Sequence, residues 1–166
     1  LSIGEIQKVL AKLLRENVSV RNLPIIFETL ADYAKLTSDP DILTEYVRQA
    51  LARQITTQFV NGQPALKVIT VSGKVEKMVA DSIQQTDHGN YLAMDPQESQ
   101  YVLEAIAKEV ERVSFMEQSP LILCSPGVRM YLRQLTERYF PQIPILSYNE
   151  LDAAIEIQSV GVVNVE

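Results

Sequence analysis

The sequence predicts an α/β chain in two parts: a three-helix subdomain over residues 1–60, then a small α/β domain over 65–166 with a mostly parallel sheet. Three observations carry this. Apolar residues recur at helical spacing through the first 58 positions. The turn sequence Asn61-Gly62-Gln63-Pro64 then interrupts the period. Beyond it, short β-branched or continuously apolar runs alternate with helical periods, a pattern whose crossover connections imply parallel pairing.

The first helix is expected over about 3–16. Ser2 and Glu5 have capping-box spacing, Ile6, Val9, Leu10, Leu13 and Leu14 share a face, and Asn17 is the stop. Leu23, Ile26, Phe27, Leu30 and Tyr33 repeat the stripe, with Pro24 tolerable in the first turn, where its missing N–H costs nothing. Asp39-Pro40 opens a third helix that runs to about 58 through Leu43, Val47, Ala50, Leu51 and Ile55. Ala65 to Val71 reads as a strand. Ser72 caps a helix with Val75, Met78, Val79 and Ile83 on one face. The polar loop Asp87-His88-Gly89-Asn90 leads to Tyr91–Met94, a short strand or packed loop. Asp95-Pro96 with Glu98 then opens a helix to about 117 through Val102, Ala105, Ile106, Val110 and Val113. Pro120–Cys124 and Ile143–Ser147 suit strands covered on both faces, separated by a helix from Ser125-Pro126-Gly127 carrying Met130, Leu132, Leu135 and Tyr139. Ile155–Val163 contains the last strand, expected as an antiparallel edge.

Composition narrows the function classes. The 166 residues are 46% hydrophobic and 22% charged, and a chain of this size buries roughly 70% of its unfolded surface, enough for one good core or two small ones. The single cysteine, Cys124, allows no internal disulfide, and the single histidine, His88, excludes a site built on two imidazoles. A reducing compartment, no metal and no cofactor are therefore expected. No apolar run approaches the roughly 18 residues that cross a bilayer. The chain opens on Leu1 and enters a helix pattern almost at once, so it is expected to be a segment of something longer, with any membrane anchor elsewhere. Fifteen basic against twenty-one acidic side chains give a net charge of −6. Residues 1–60 are balanced at seven each, so 61–166 carry the whole acidic excess. Neither part has the concentrated basic face that nucleic acid requires.

Candidate chemistry is sparse. Val71-Ser72-Gly73-Lys74-Val75 stands between a strand and a helix as a phosphate loop would, but Val68 and Val75 occupy the places of the required glycine and hydroxyl. Cys124, at a strand end before a helix, is the best nucleophile available. Yet four rather than five residues separate it from Arg129, and Pro126 removes a backbone donor, so it reads as a buried thiol. Asp87 and His88 read as a solvated loop tip. Arg129, Arg133 and Glu137 recur every four residues and read as surface ion pairing. Glu104, Glu109, Glu111 and Glu117, interleaved with Lys108 and Arg112, read as an acidic helix surface, either simply solvated or a docking face for a basic or amphipathic partner. Tyr91, Leu92 and Met94, with Phe115 and Met116, belong either to the core or to such a contact. The candidate partner-binding set is thus Tyr91, Met94, Glu104, Glu109 and Glu111, and protein binding is favoured over catalysis.

Gly4-Glu5-Ile6-Gln7-Lys8-Val9-Leu10, Val18-Ser19-Val20-Arg21-Asn22-Leu23 and Phe27-Glu28-Thr29-Leu30-Ala31-Asp32-Tyr33 are similar to the FlhA family, the large inner-membrane component of the bacterial flagellar export gate. The resemblance continues through Thr44–Ile55, Leu123-Cys124-Ser125-Pro126, Pro144–Leu151 and Ser159-Val160-Gly161-Val162-Val163, so it spans nearly the whole chain. It implies the third, helical and fourth, α/β subdomains of a cytoplasmic part that assembles as a nine-membered ring. Implied partners are export chaperones with their flagellar substrates, other export-apparatus proteins and further copies of the chain. The membrane is implied only through an absent N-terminal domain. The family's chaperone pocket belongs to the first two cytoplasmic subdomains, so no pocket residue is carried over. The alternatives are the homologous gate of virulence type III secretion and a small α/β enzyme using Cys124.

Overall fold

A computed structural model describes residues 1–166 as two compact units. One comprises Leu1–Gln63 together with Asn149–Ile155, the other Pro64–Tyr148 with Glu156–Glu166.

The helical unit holds four helices rather than three: α1 (Ile3–Arg15), α2 (Leu23–Tyr33), α3 (Pro40–Ala50) and α4 (Ala52–Val60). Both halves of the expected capping box form at α1: Glu5 N–H donates to Ser2 Oγ at 3.1 Å, and Ser2 N–H donates to Glu5 Oε1 at 3.2 Å. Asn17 ends the helix in a left-handed conformation, φ 61°. The third helix of the sequence reading divides at Leu51, whose backbone leaves helical values (φ −95°, ψ 18°) while its side chain stays buried. No proline or glycine marks that break. Val9, Leu13, Ile26, Leu30, Leu43, Val47, Leu51 and Ile55 form the core, and Tyr33 stacks on Tyr46 with centroids 3.9 Å apart. Leu14, Leu23 and Phe27, expected on the apolar stripes, are exposed.

Residues 149–155, assigned by the sequence to the α/β part, group with the helices instead. Arg48, 1% exposed, donates through Nε and Nη2 to Glu150 at 3.1 and 2.8 Å, a two-pronged pair, with Glu16 3.8 Å from its Nη1. Thr56 extends the attachment: its hydroxyl accepts from Asp152 N–H at 2.9 Å and lies 3.3 Å from the Glu150 carbonyl.

The α/β unit contains β1 (Ala65–Val71), α5 (Gly73–Asp81), a hairpin of β2 (Ile83–Thr86) and β3 (Gly89–Leu92), α6 (Pro96–Phe115), β4 (Ile122–Cys124), α7 (Pro126–Thr136), β5 (Ile145–Ser147) and β6 (Glu156–Val163). The main sheet runs β5-β4-β1-β6 and every pairing is parallel. The expected antiparallel edge is corrected accordingly: β6 is an edge, but its direction matches β1, because the chain returns through 149–155 before pairing. Ile83 begins β2 instead of closing α5, and the segment from Tyr91 is a true strand as far as Leu92. Ile69, Ile122, Cys124, Ile145 and Val163 from the sheet pack with Val75, Val79, Val102, Ile106, Val113 and Leu132 from the helices.

Removing the Glu150 charge leaves a buried guanidinium without its two-pronged partner, and breaking such a pair costs about 3–5 kcal/mol. Glu150→Gln is therefore expected to lower stability by that amount in urea unfolding followed by circular dichroism. A loss below about 1 kcal/mol, the range of exposed pairs, would show that the pair does not anchor the 149–155 segment.

Candidate functional site

The residues proposed for partner contact lie on α6, on the hairpin that precedes it and, for Met94, in the link between them. Asp95 caps α6 by accepting from Gln97 N–H at 2.9 Å, Pro96 occupies the first turn, and Glu98 places a carboxylate beside the positive helix end. Val102, Ile106 and Val113 turn the inner face of α6 into the core. The outward stripe, at alternating spacings of three and four, is Tyr101, Glu104, Lys108, Glu111 and Phe115. Its aromatic ends are open: Tyr101 is 51% exposed and Phe115 80%. At 1.5 Å per residue the stripe is about 21 Å long.

The acidic set divides. Glu104, which accepts from Gln100 Nε2 at 3.0 Å, and Glu111 are exposed on this stripe. Glu109 is turned about 140° away from Glu104, at the 100° per residue of a helix. It receives Arg112 Nε at 3.1 Å and the Val162 N–H of β6 at 2.9 Å. The Arg112 guanidinium is the main reason that its carboxyl is held below the usual carboxylate range; the Val162 N–H adds to this and partial burial opposes it. Tyr91 and Met94 divide as well. Tyr91, paired across the hairpin with Gln84, is 50% exposed, whereas Met94 packs against the α/β core with Ile83 and Leu92. The hairpin tip is closed by Thr86 Oγ1 donating to the Gly89 carbonyl at 2.6 Å, and Gln134 Oε1 on α7 accepts from Leu92 N–H at 3.4 Å. Asp87 and His88 are exposed at the tip.

Elsewhere the structure departs from the sequence reading. Arg129 and Arg133 are buried, not surface-paired: Arg129 donates to the Ile145 carbonyl at 2.9 Å and Arg133 to the Pro141 carbonyl at 3.2 Å. They tie α7 to the segment that becomes β5. Cys124 is buried in the sheet. The next backbone N–H, of Ser125, donates to Glu76 at 2.6 Å, so a carboxylate already occupies the start of α7 where an anionic substrate would otherwise sit. A groove of about 810 Å³ opens on the helical unit, lined by Leu14, Arg21, Ile25, Arg53, Gln54 and Gln58 among others. It contains none of the site residues read from the sequence. No helix is long and apolar enough to cross a membrane.

A model of the FHIPEP family matches residues 1–156, and the chain belongs to that family. It is 61% identical over 165 residues to the flagellar biosynthesis protein FlhA of Bacillus subtilis, covering 99% of this chain and 24% of that relative. Protein MxiA of Shigella flexneri is 36% identical over 94% of the chain and 23% of its own length. Among solved structures, Chlamydia pneumoniae CdsV superposes with a TM-score of 0.90 at 33% identity, over 96% of this chain and 46% of that one. The nonameric SctV-C of EPEC gives 0.85 at 33% identity, over 98% and 49%. The chain thus spans about a quarter of its curated relatives and about half of the solved chains.

Glu109 gives the α/β unit an acid-sensitive component. Its folded pKa lies below the unfolded value, so its contribution is fully present above the unfolded carboxylate pKa of about 4.3 and is lost as pH falls through the folded value. Glu109→Ala is expected to cost about 1–2 kcal/mol near neutrality, as for a hydrogen-bonded charge. In urea midpoints taken between neutral pH and pH 3, the gap between wild type and variant should close toward the acid end. A gap unchanged with pH would show that the carboxylate's charge contributes nothing.

Proposed function

We propose that this chain is a cytoplasmic docking and ring-forming part of a flagellar type III protein export gate, and that it receives chaperone–substrate complexes for secretion. The observation that carries the docking role is the outer stripe of α6. Glu104 and Glu111 lie between the exposed rings of Tyr101 and Phe115, with Tyr91 exposed on the preceding hairpin. Acidic groups flanked by open aromatics suit a basic amphipathic partner: the rings supply rigid contact area and the carboxylates steer the encounter. Of the residues read from the sequence, Tyr91, Glu104 and Glu111 are the proposed contacts. Met94 packs against the α/β core, and Glu109 acts within the fold.

The flagellar assignment is supported by 61% identity to B. subtilis FlhA, against 36% for S. flexneri MxiA. Ring formation is supported by the nonameric assembly of EPEC SctV-C. Contact with other export-apparatus proteins is supported by the complex of C. pneumoniae CdsV with CdsO. Membrane attachment, in this reading, is supplied by the part of the longer protein outside these residues. Binding, not catalysis, is the role proposed, with Cys124 a packing residue.

Calorimetric titration with a flagellar export chaperone, empty and loaded with its substrate, tests the proposal. Binding by this chain is expected, and reversing charge with Glu104→Lys and Glu111→Lys together should weaken it about tenfold and reduce its salt dependence. Binding only by a longer chain containing the preceding cytoplasmic subdomains would make these residues scaffold. Unchanged affinity and salt dependence in the double variant would remove the α6 stripe from the contact.

A further inference from the structure

β6 is the outer strand of the sheet, so one side of its backbone faces away from β1. Such an edge offers unpaired N–H and C=O groups to any further strand. The β6 sequence makes this hazard concrete. Ile157 to Val163 is seven residues long, uncharged and rich in β-branched side chains, and Ile157 and Val162 are exposed. Uncharged β-prone runs of this length are the ones that template strand pairing between molecules.

The carboxyl-terminal half of the edge is covered by two side chains from α6. Glu109 accepts from Val162 N–H, and Arg112 Nη2 donates to the Val160 carbonyl. The two are paired to each other through Arg112 Nε and Nη2, at 3.1 and 3.2 Å from the Glu109 oxygens. They therefore present one acceptor and one donor to the N–H of one residue and the C=O two residues before it, as the backbone of an adjacent strand would. Two backbone features admit them. The β6 register on β1 shifts here, Ser159 opposing Val68 and Gly161 opposing Ile69, so Val160 bulges out. Between Val160 and Val162 stands Gly161, where an added Cβ would come under 3.0 Å from both Arg112 Nη2 and Glu109 Oε1. A side chain there would push the ends of the pair off the edge.

We infer that Glu109, Arg112 and Gly161 form a strand guard, in which the ion pair takes the place of a fifth strand and keeps β6 from pairing with β6 of a second copy of this chain. The excluded partner is a second copy because two-fold antiparallel pairing sets this edge against itself, joining its open backbone groups and its exposed Ile157 and Val162 in one self-complementary contact. This inference does not depend on the export function.

Sedimentation velocity over a range of concentrations tests it, comparing wild type with the Glu109→Ala, Arg112→Ala double variant, with folding checked by circular dichroism. The variant is expected to shift toward dimer and larger species, with slowed amide exchange over residues 156–162 as concentration rises. Adding Ser159→Lys to the double variant puts a charge on the open edge and should restore the wild-type distribution. Association shared equally by wild type and variants belongs to another interface, so the difference between them is the readout. If the double variant does not fold, Arg112→Gln, at an exposed side chain, carries the same expectation. A folded variant with the wild-type mass distribution, or association that Ser159→Lys leaves undiminished, would overturn the guard.

Discussion

An arginine that is 1% exposed sets the terms for much of this fold. Arg48 is buried on α3, and an ion removed from water costs several kcal/mol unless an opposite charge and further hydrogen bonds meet it. Glu16 comes within 3.8 Å, but the two-pronged contact is made by Glu150, 102 residues further along the chain. That requirement shapes the path of the chain beyond β5. The parallel strand β6 needs a crossover connection, and in most α/β folds a helix supplies it. Here the crossover is the 149–155 segment, which belongs to the helical unit through Glu150 and the Thr56–Asp152 bond. The chain consequently passes between its two units three times, and the segment between the last two passages carries the carboxylate that meets Arg48.

How much of this was legible depended on whether the deciding partner was near in sequence. Ser2 with Glu5, Asp39 with Pro40 and Asp95 with Pro96 announce helix starts because capping is a local exchange of hydrogen bonds, and each opens a helix where expected. The alternation of short apolar runs with helical periods gave the parallel sheet for the same reason. Arg48, Arg129 and Arg133 were not legible as buried. An arginine on a helix looks solvated unless its acceptors are known, and those acceptors are Glu150 and the carbonyls of Ile145 and Pro141, contributed by other segments. The break at Leu51 carries no proline or glycine, so only the packing of the helices on either side marks it.

The candidate surface was legible in composition but not in allotment. Glu104, Glu109 and Glu111 look equivalent along the sequence, yet successive residues of a helix stand 100° apart. Two of them fall on the outer stripe and the third falls beside β6. Gly161 was the local clue to that difference, since an isolated glycine within a strand pattern marks a bulge or a close approach. What approaches it could not be read, because Arg112 and Glu109 lie some fifty positions earlier and resemble an ordinary surface pair.

One helix thus faces three environments with three kinds of side chain. Val102, Ile106 and Val113 bury the inner face, Glu109 and Arg112 cover a strand edge along one flank, and Tyr101, Glu104, Lys108, Glu111 and Phe115 meet solvent. These demands conflict over charge. A strand edge buried under apolar side chains would leave its N–H and C=O groups unsatisfied, and an edge left bare beside exposed aromatic rings would attract other chains. An ion pair answers both, satisfying the backbone while keeping the flank polar. It leaves Tyr101 and Phe115 as the large exposed apolar side chains of α6, on the stripe proposed above for partner contact.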